Sequence, residues 1–141
     1  MNLQELQEKI ADKVKSLDAF AALPVLREDK GNICADLEAE IAETNFAVVV
    51  GGLTFTDTKP NSTLAIGNIG ITVSIFENPT FNREATGHVT INEASQAIVK
   101  GLKLFNTGDG LLTNPSIGEI NDLGDGVIST VVRLELTNVT L

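Results

Sequence analysis

The sequence predicts an α+β fold in two layers, with a mainly antiparallel sheet, a long β-hairpin and about three helices packed on one face. Residues 64–77 alternate between apolar and polar or small positions, which is typical of a half-buried strand; its apolar members are Ile69, Ile71, Val73 and Ile75. A second strand, residues 46–57, precedes it, and the turn residues 59–62 join the two. Three other segments repeat apolar residues every three or four positions, as helices packed against a sheet do.

The first of these helices is predicted over residues 2–17, which carry an apolar stripe on one side of the helix and residues of both charges on the other side. Leu23-Pro24-Val25-Leu26 then indicates a short edge strand, because proline is tolerated at sheet edges. Asn32 is placed to cap a second helix over 33–43. The single cysteine, Cys34, lies at the start of this helix, and we expect it to be partly buried and unreactive.

The hairpin formed by 46–57 and 64–77 is long, and Gly51-Gly52 interrupts its first strand. We therefore expect its distal part, residues 51–67, to project as an arm. Asn78-Pro79 should end the second strand, with a loop over 78–89.

The last third of the chain begins with Thr90 and Glu93, which form a capping box for a helix over 91–105. Residues 106–126 are rich in Gly, Asp and Asn and are predicted to form a connection pinned at a few points. A final strand is predicted over 127–140. The whole chain, 1–141, is expected to be a single domain.

Composition excludes several classes of function. The net charge is −9 without a basic cluster, which disfavours binding to nucleic acid and to anionic membranes. One cysteine cannot form an internal disulfide, and no segment is long and apolar enough to span a bilayer. With no signal peptide evident, we expect the protein to be made in the cytoplasm.

Residues that commonly carry chemistry do not form a recognisable constellation. His88 is the only histidine, and neither a serine nor a cysteine nucleophile motif accompanies it. Residues 121–126 faintly resemble a calcium loop, but their spacing lacks the required pattern of acidic ligands. We therefore predict no enzyme activity, no catalytic residues, no metal site and no cofactor.

The polar corner after the long strand is the best candidate for contacts with other subunits. Arg83 lies there among polar neighbours, and two alternatives remain open: an internal pair with Glu77, or an intersubunit contact. The candidate interface residues are those of this corner and two from the hairpin arm: Glu77, Asn78, Asn82, Arg83, Phe55 and Lys59.

The order of elements resembles that of small phage and prophage tail proteins, in particular the tail-terminator and minor-tail class. The resemblance rests on Leu23-Pro24-Val25-Leu26 with Glu28-Asp29-Lys30-Gly31, and on Val73-Ser74-Ile75-Phe76-Glu77-Asn78-Pro79 with Asn82-Arg83. A helix precedes these segments, and a threonine-capped helix and a long strand follow them. The connection over 106–126 departs from the pattern.

This resemblance implies a structural virion protein that forms a ring, often a hexamer, at the end of the tail tube. Its partners would be copies of itself and other tail or head-tail connector proteins, and it would be located in the virion tail after assembly in the bacterial host cytoplasm. The net negative charge would suit a lumen through which DNA slides. The alternative is a non-enzymatic module that binds a small ligand on its sheet face.

Overall fold

The structure is a computed structural model that describes residues 1–82 and 89–141. Its helices are α1 (Leu3–Ser16), α2 (Ile33–Thr44), α3 (Pro79–Asn82) and α4 (Ile91–Leu102), with a 3-10 turn at Asp18–Phe20. Its strands are β1 (Val25–Arg27), β2 (Phe46–Val50), β3 (Thr54–Asp57), β4 (Ile66–Glu77), β5 (Thr113–Ile117), β6 (Asn121–Gly124) and β7 (Val127–Thr140).

The seven strands of the described residues belong to one open sheet, in which five follow the order β1-β2-β4-β7-β5. β3 pairs with the distal half of β4, and β6 pairs with the first part of β7. The pairing of β1 with β2 is parallel and every other pairing is antiparallel, so the sheet is mixed but mainly antiparallel. The predicted α+β class is confirmed.

β4 is the central strand, and its burial alternates at every residue as its sequence predicts. The side chains of Ile69, Ile71, Val73 and Ile75 are at most 1% exposed. Its antiparallel pairing with β7 extends from Ile66 opposite Thr140 to Glu77 opposite Ile128. This long pair provides the platform on which the helices pack.

The core lies between that face of the sheet and two helices, α1 and α4. Both helices are amphipathic. Thr90 caps α4 as predicted, and Asn2, for which no capping role was predicted, caps α1. Buried helix residues that meet the strands are Leu6, Ile10 and Val14 from α1 and Ala94, Ile98 and Leu102 from α4. Burial of each such aliphatic side chain contributes about 1.5–3 kcal/mol to folding.

α2 does not lie in this layer, which corrects the expectation of three helices on one face. None of its residues is buried and none belongs to the core. Ile33 and Leu37 instead lie beside Val49, Ser74 and Phe76, which are the alternate residues of β2 and β4 on the opposite face. An apolar stripe shows that a helix packs on a sheet, but it does not determine on which face.

Two segments predicted as irregular contain regular structure. Residues 106–126 include β5 and β6, which pair with β7 along its outer side. The expected loop over 78–89 begins with one helical turn, α3. The two strands were missed because Asn, Gly and Pro are frequent in 106–126, although edge strands with register shifts tolerate such residues.

The distal hairpin continues the sheet. β3 pairs with β4 from Thr54 opposite Gly70 to Asp57 opposite Gly67, and β7 pairs with the other side of β4 out to Thr140. Residues 58–65 form the exposed loop beyond these strands. The strands within the predicted arm, residues 51–67, therefore lie in a three-stranded part of the sheet, in which β7 is the third strand.

Candidate subunit interface

The predicted polar corner is buried within the chain. Glu77 and Asn82 are each 3% exposed and Asn78 is 9% exposed. The Asn82 Nδ2 atom donates hydrogen bonds to Glu77 Oε2 at 2.7 Å and to the Val89 carbonyl at 3.0 Å. These side chains connect the end of β4 to the segment before α4, and they offer little surface to a neighbouring subunit.

Local structure explains the burial of this corner. Glu77 follows Ile75 by two residues on β4, so the pleat directs it to the same face of the sheet. The Asn78 backbone donates to the Asn45 carbonyl at 2.9 Å, and the Asn82 backbone donates to the Asn78 carbonyl at 2.8 Å. Among the described residues, Asn78 Oδ1 and Asn82 Oδ1 have no hydrogen-bond partner.

The remaining predicted interface residues are Arg83, Phe55 and Lys59, and the structure describes two of them, which differ in their exposure. Arg83, like His88, lies outside the described residues, so both alternatives for Arg83 stay open. Phe55 on β3 is half-buried and packs against the core. Lys59 is exposed in the hairpin loop, and its backbone N–H donates to Asp57 Oδ1 at 2.7 Å. Of this set, the side chain of Lys59 is available to a partner.

The edges of the sheet expose apolar side chains that sequence reasoning did not select. In the described part of the chain, β1, β3, β5 and β6 each pair with a strand on one side only. Ile117, Ile120 and Leu123 are 48–55% exposed along the β5–β6 edge. Leu64 and Leu141 are exposed at the distal end, where the Leu141 backbone donates to the Ala65 carbonyl at 3.0 Å.

A second exposed apolar feature, which we call the α4 corner, consists of Lys103, Leu104 and Leu111. Leu104 follows the end of α4 and is 57% exposed, and Leu111 is 46% exposed. The Leu104 backbone donates to the Leu112 carbonyl at 2.7 Å, and Asn106 bridges to Leu111, so the two leucines lie in one small turn. Leu104 has φ = 61°, a left-handed conformation that strongly favours glycine.

On the other face of the sheet, α2 and the strands leave an open groove of about 210 Å³, which we call the α2 groove. Its lining is mainly apolar and consists of Ile33, Cys34, Leu37, Val49 and Phe76 together with the polar residues Glu28 and Ser74. Cys34 is exposed, not partly buried as predicted, because it lies at the open side of the helix.

A larger open groove of about 450 Å³ lies on the same face of the sheet, over β3, β4, β7 and β5. Thr54, Thr72, Asn114, Arg133 and Glu135 line it. The Asn114 side chain donates to the Glu135 carboxylate. Among the described residues, Arg133 has no ion-pair partner.

The described residues contain no group of three or more His, Cys, Asp or Glu side chains that could hold a metal ion. None of the helices in the part of the chain that the structure describes is long and apolar enough to cross a membrane. Comparison of the sequence with protein-family models and with curated proteins finds no match.

The sequence contains weak signals for the exposed apolar side chains and for the buried position of Glu77. Leu104 lies off the apolar stripe that includes Ile98 and Leu102, which indicates exposure at the helix end. Ile117, Ile120 and Leu123 occur in a segment that was predicted as an irregular connection because it is rich in glycine and asparagine. Glu77 could have been assigned to the core face from the two-residue period of β4.

Proposed function

We propose that the protein is a structural component of a phage or prophage tail, either a tail terminator or a head-tail completion protein, that forms a ring. The observation that carries the proposal is the distribution of exposed apolar residues, which lie at sheet edges and element ends instead of in an enclosed pocket. Such residues, at edges that lack a second strand, favour contacts with other subunits. We propose further that the protein is not an enzyme.

The resemblance in element order supports this proposal independently of the exposed surface. Ring formation requires a heterologous contact, in which two different surfaces of the same chain meet. The chain carries separate candidate surfaces of this kind at the β5–β6 edge, the α4 corner and the α2 groove. An acidic surface would also let DNA pass the assembled ring without adhering.

Electron microscopy of the purified protein tests the proposal. We expect closed rings of uniform diameter at high protein concentration, and we expect these rings to attach to the ends of tail tubes assembled from a purified phage tail-tube protein. Absence of rings at every concentration, together with absence of attachment to tail tubes, would refute it.

The alternative function, binding of a small ligand on the sheet face, would use the larger groove. Arg133 is the observation in its favour, since a guanidinium with no ion-pair partner among the described residues can bind a carboxylate or phosphate. Calorimetric titration with inorganic phosphate and with acetate tests it: heat of binding that Arg133→Gln abolishes would support a ligand site. No heat from either anion would leave the structural role preferred.

A further inference from the structure

We infer that the ring contact places the α4 corner of one subunit in the α2 groove of the next, so that Leu104 and Leu111 cover Ile33, Leu37 and Phe76. This inference rests on the proposed ring function and names the surfaces that would form the ring. The occupant of the groove is thus a second copy of this chain.

The helix that forms one side of the α2 groove buries none of its apolar residues within the chain. α2 has twelve residues and an apolar stripe, yet none of its residues is buried. An amphipathic helix normally gains most of its stability by burying such a stripe. The volume of the groove, about 210 Å³, lies below the roughly 300–1,000 Å³ of small-molecule pockets, so it fits side chains better than a ligand.

The α4 corner presents an exposed apolar side chain, that of Leu104, on a backbone in a strained conformation. A left-handed backbone costs an ordinary L-residue about 1–2 kcal/mol, and Leu104 adopts it while 57% exposed. Within a single chain, this leucine therefore carries strain without burying its side chain. Strain of this kind commonly marks a functional position, and burial in a neighbouring subunit would offset it.

The two surfaces are also complementary in charge. α2 carries Asp36, Glu38, Glu40 and Glu43 and no basic residue, and Glu28 lies at the groove. At the α4 corner, Lys103 is joined by two lysines of α1. Lys9 donates to the Thr107 carbonyl at 3.0 Å, and Lys13 lies 5.6 Å from the centre of the Phe105 ring. The turn at this corner contains one acidic residue, Asp109, against these three lysines. The corner and the acidic α2 groove thus carry opposite charges, which favour specific docking.

The positions of the surfaces suit a head-to-tail contact. α2 packs beside β1 and β2 at one end of the strand order, whereas α4 packs over β4, β7 and β5 toward the other end. The surfaces also lie on opposite faces of the sheet. One chain therefore cannot place its own corner in its own groove, and repeating the contact generates a ring or a filament.

Thiol cross-linking tests this contact, because the single natural cysteine, Cys34, lines the groove. The variant Leu111→Cys introduces a second thiol at the α4 corner and retains Leu104. After treatment with a short bismaleimide, we expect a ladder of covalent oligomers up to the ring size. The matched control is Leu64→Cys, which places its thiol on another exposed leucine, 57% exposed, and should give no ladder.

The outcomes separate the contact from the function. A ladder with Leu111→Cys that disappears when Cys34→Ser is added supports the contact. Rings without a ladder, or an equal ladder with Leu64→Cys, would refute this contact and leave the ring function standing. A protein that stays monomeric at all concentrations would refute both.

Charge reversal provides a second and independent readout. Glu38 lies one helical turn after Cys34 and therefore on the same side of α2. We expect Lys103→Glu and Glu38→Lys each to weaken self-association about tenfold, and the double variant to recover most of this loss. Lys30→Glu, at an exposed lysine that belongs neither to the α4 corner nor to the lining of the α2 groove, should leave the affinity within twofold. Losses that simply add in the double variant would refute the pairing of these surfaces.

Discussion

Asn82 shows how one buried amide fixes the end of the central strand. Its Nδ2 atom bridges Glu77 and the Val89 carbonyl, and so joins β4 to the segment that leads into α4. A buried carboxylate needs such donors, because an unpaired one costs several kcal/mol of folding free energy. The corner therefore stabilises the fold of the chain.

Asn82→Asp removes this donor and places a second carboxylate against Glu77. We expect it to lower the free energy of unfolding by about 1–3 kcal/mol, because a buried acceptor loses its partner. Urea denaturation with an unchanged slope measures the loss. The control is Asn121→Asp on exposed β6, which should stay within about 0.5 kcal/mol of the wild type. Equal stability of the two variants would contradict the bracing role of Asn82.

Leu104→Gly relieves the left-handed strain but removes the exposed side chain. The relief of about 1–2 kcal/mol exceeds the entropic cost of glycine, about 0.5–1 kcal/mol, so the diluted monomer should gain roughly 0.5–1 kcal/mol. Self-association should nevertheless weaken at least tenfold. Thermal unfolding of the monomer and light scattering measure the two effects separately. A variant that loses monomer stability, or that associates normally, would contradict our account of Leu104.

At the level of elements, the pairing of β3 with β4 depends on the absence of a side chain at Gly67. A Cβ atom there would lie 2.0 Å from the Thr56 carbonyl oxygen, which is a backbone atom that cannot move aside without breaking the pair. β7 pairs with the other side of β4 and does not require this contact. The distal hairpin can therefore loosen while the core remains intact.

Gly67→Ala should thus release β3 locally. We expect amide hydrogen exchange over Thr54–Asp57 to accelerate more than tenfold, with exchange in α4 and the middle of β4 unchanged. The control is Gly52→Ala, where the added Cβ would meet Glu28 Oε2 at an ordinary 3.6 Å. Unchanged protection of β3 in Gly67→Ala, or equal acceleration in the control, would contradict the role of this close approach.

At the level of the whole molecule, periodicity predicted the elements that bury an apolar face. α1, α4, β4 and β7 were predicted because their residues repeat with the period of the structure they adopt, and β2 was predicted because it is a short continuous apolar run. β5 and β6 were missed because they pair at an edge through Asn, Pro and Gly residues, without a buried face. The side of the sheet that α2 covers depends on the path of the chain, which no local pattern contains.

The candidate site was less predictable than the fold. Polar residues were expected at the surface, but Glu77 and Asn82 satisfy each other inside the chain, and only the alternation of β4 carried that information. The exposed leucines, Leu104 and Leu111, gain significance only from their position in the same small turn of the folded chain. An interface combines residues that are distant in sequence, so composition alone does not identify it.

Multi-angle light scattering of the wild-type protein over a wide concentration range tests the central claim, that this chain is a ring-forming subunit. The account predicts a single assembly whose mass is a fixed multiple of the 15.0 kDa chain and that dissociates on dilution. A mass of 15.0 kDa at every concentration would contradict it.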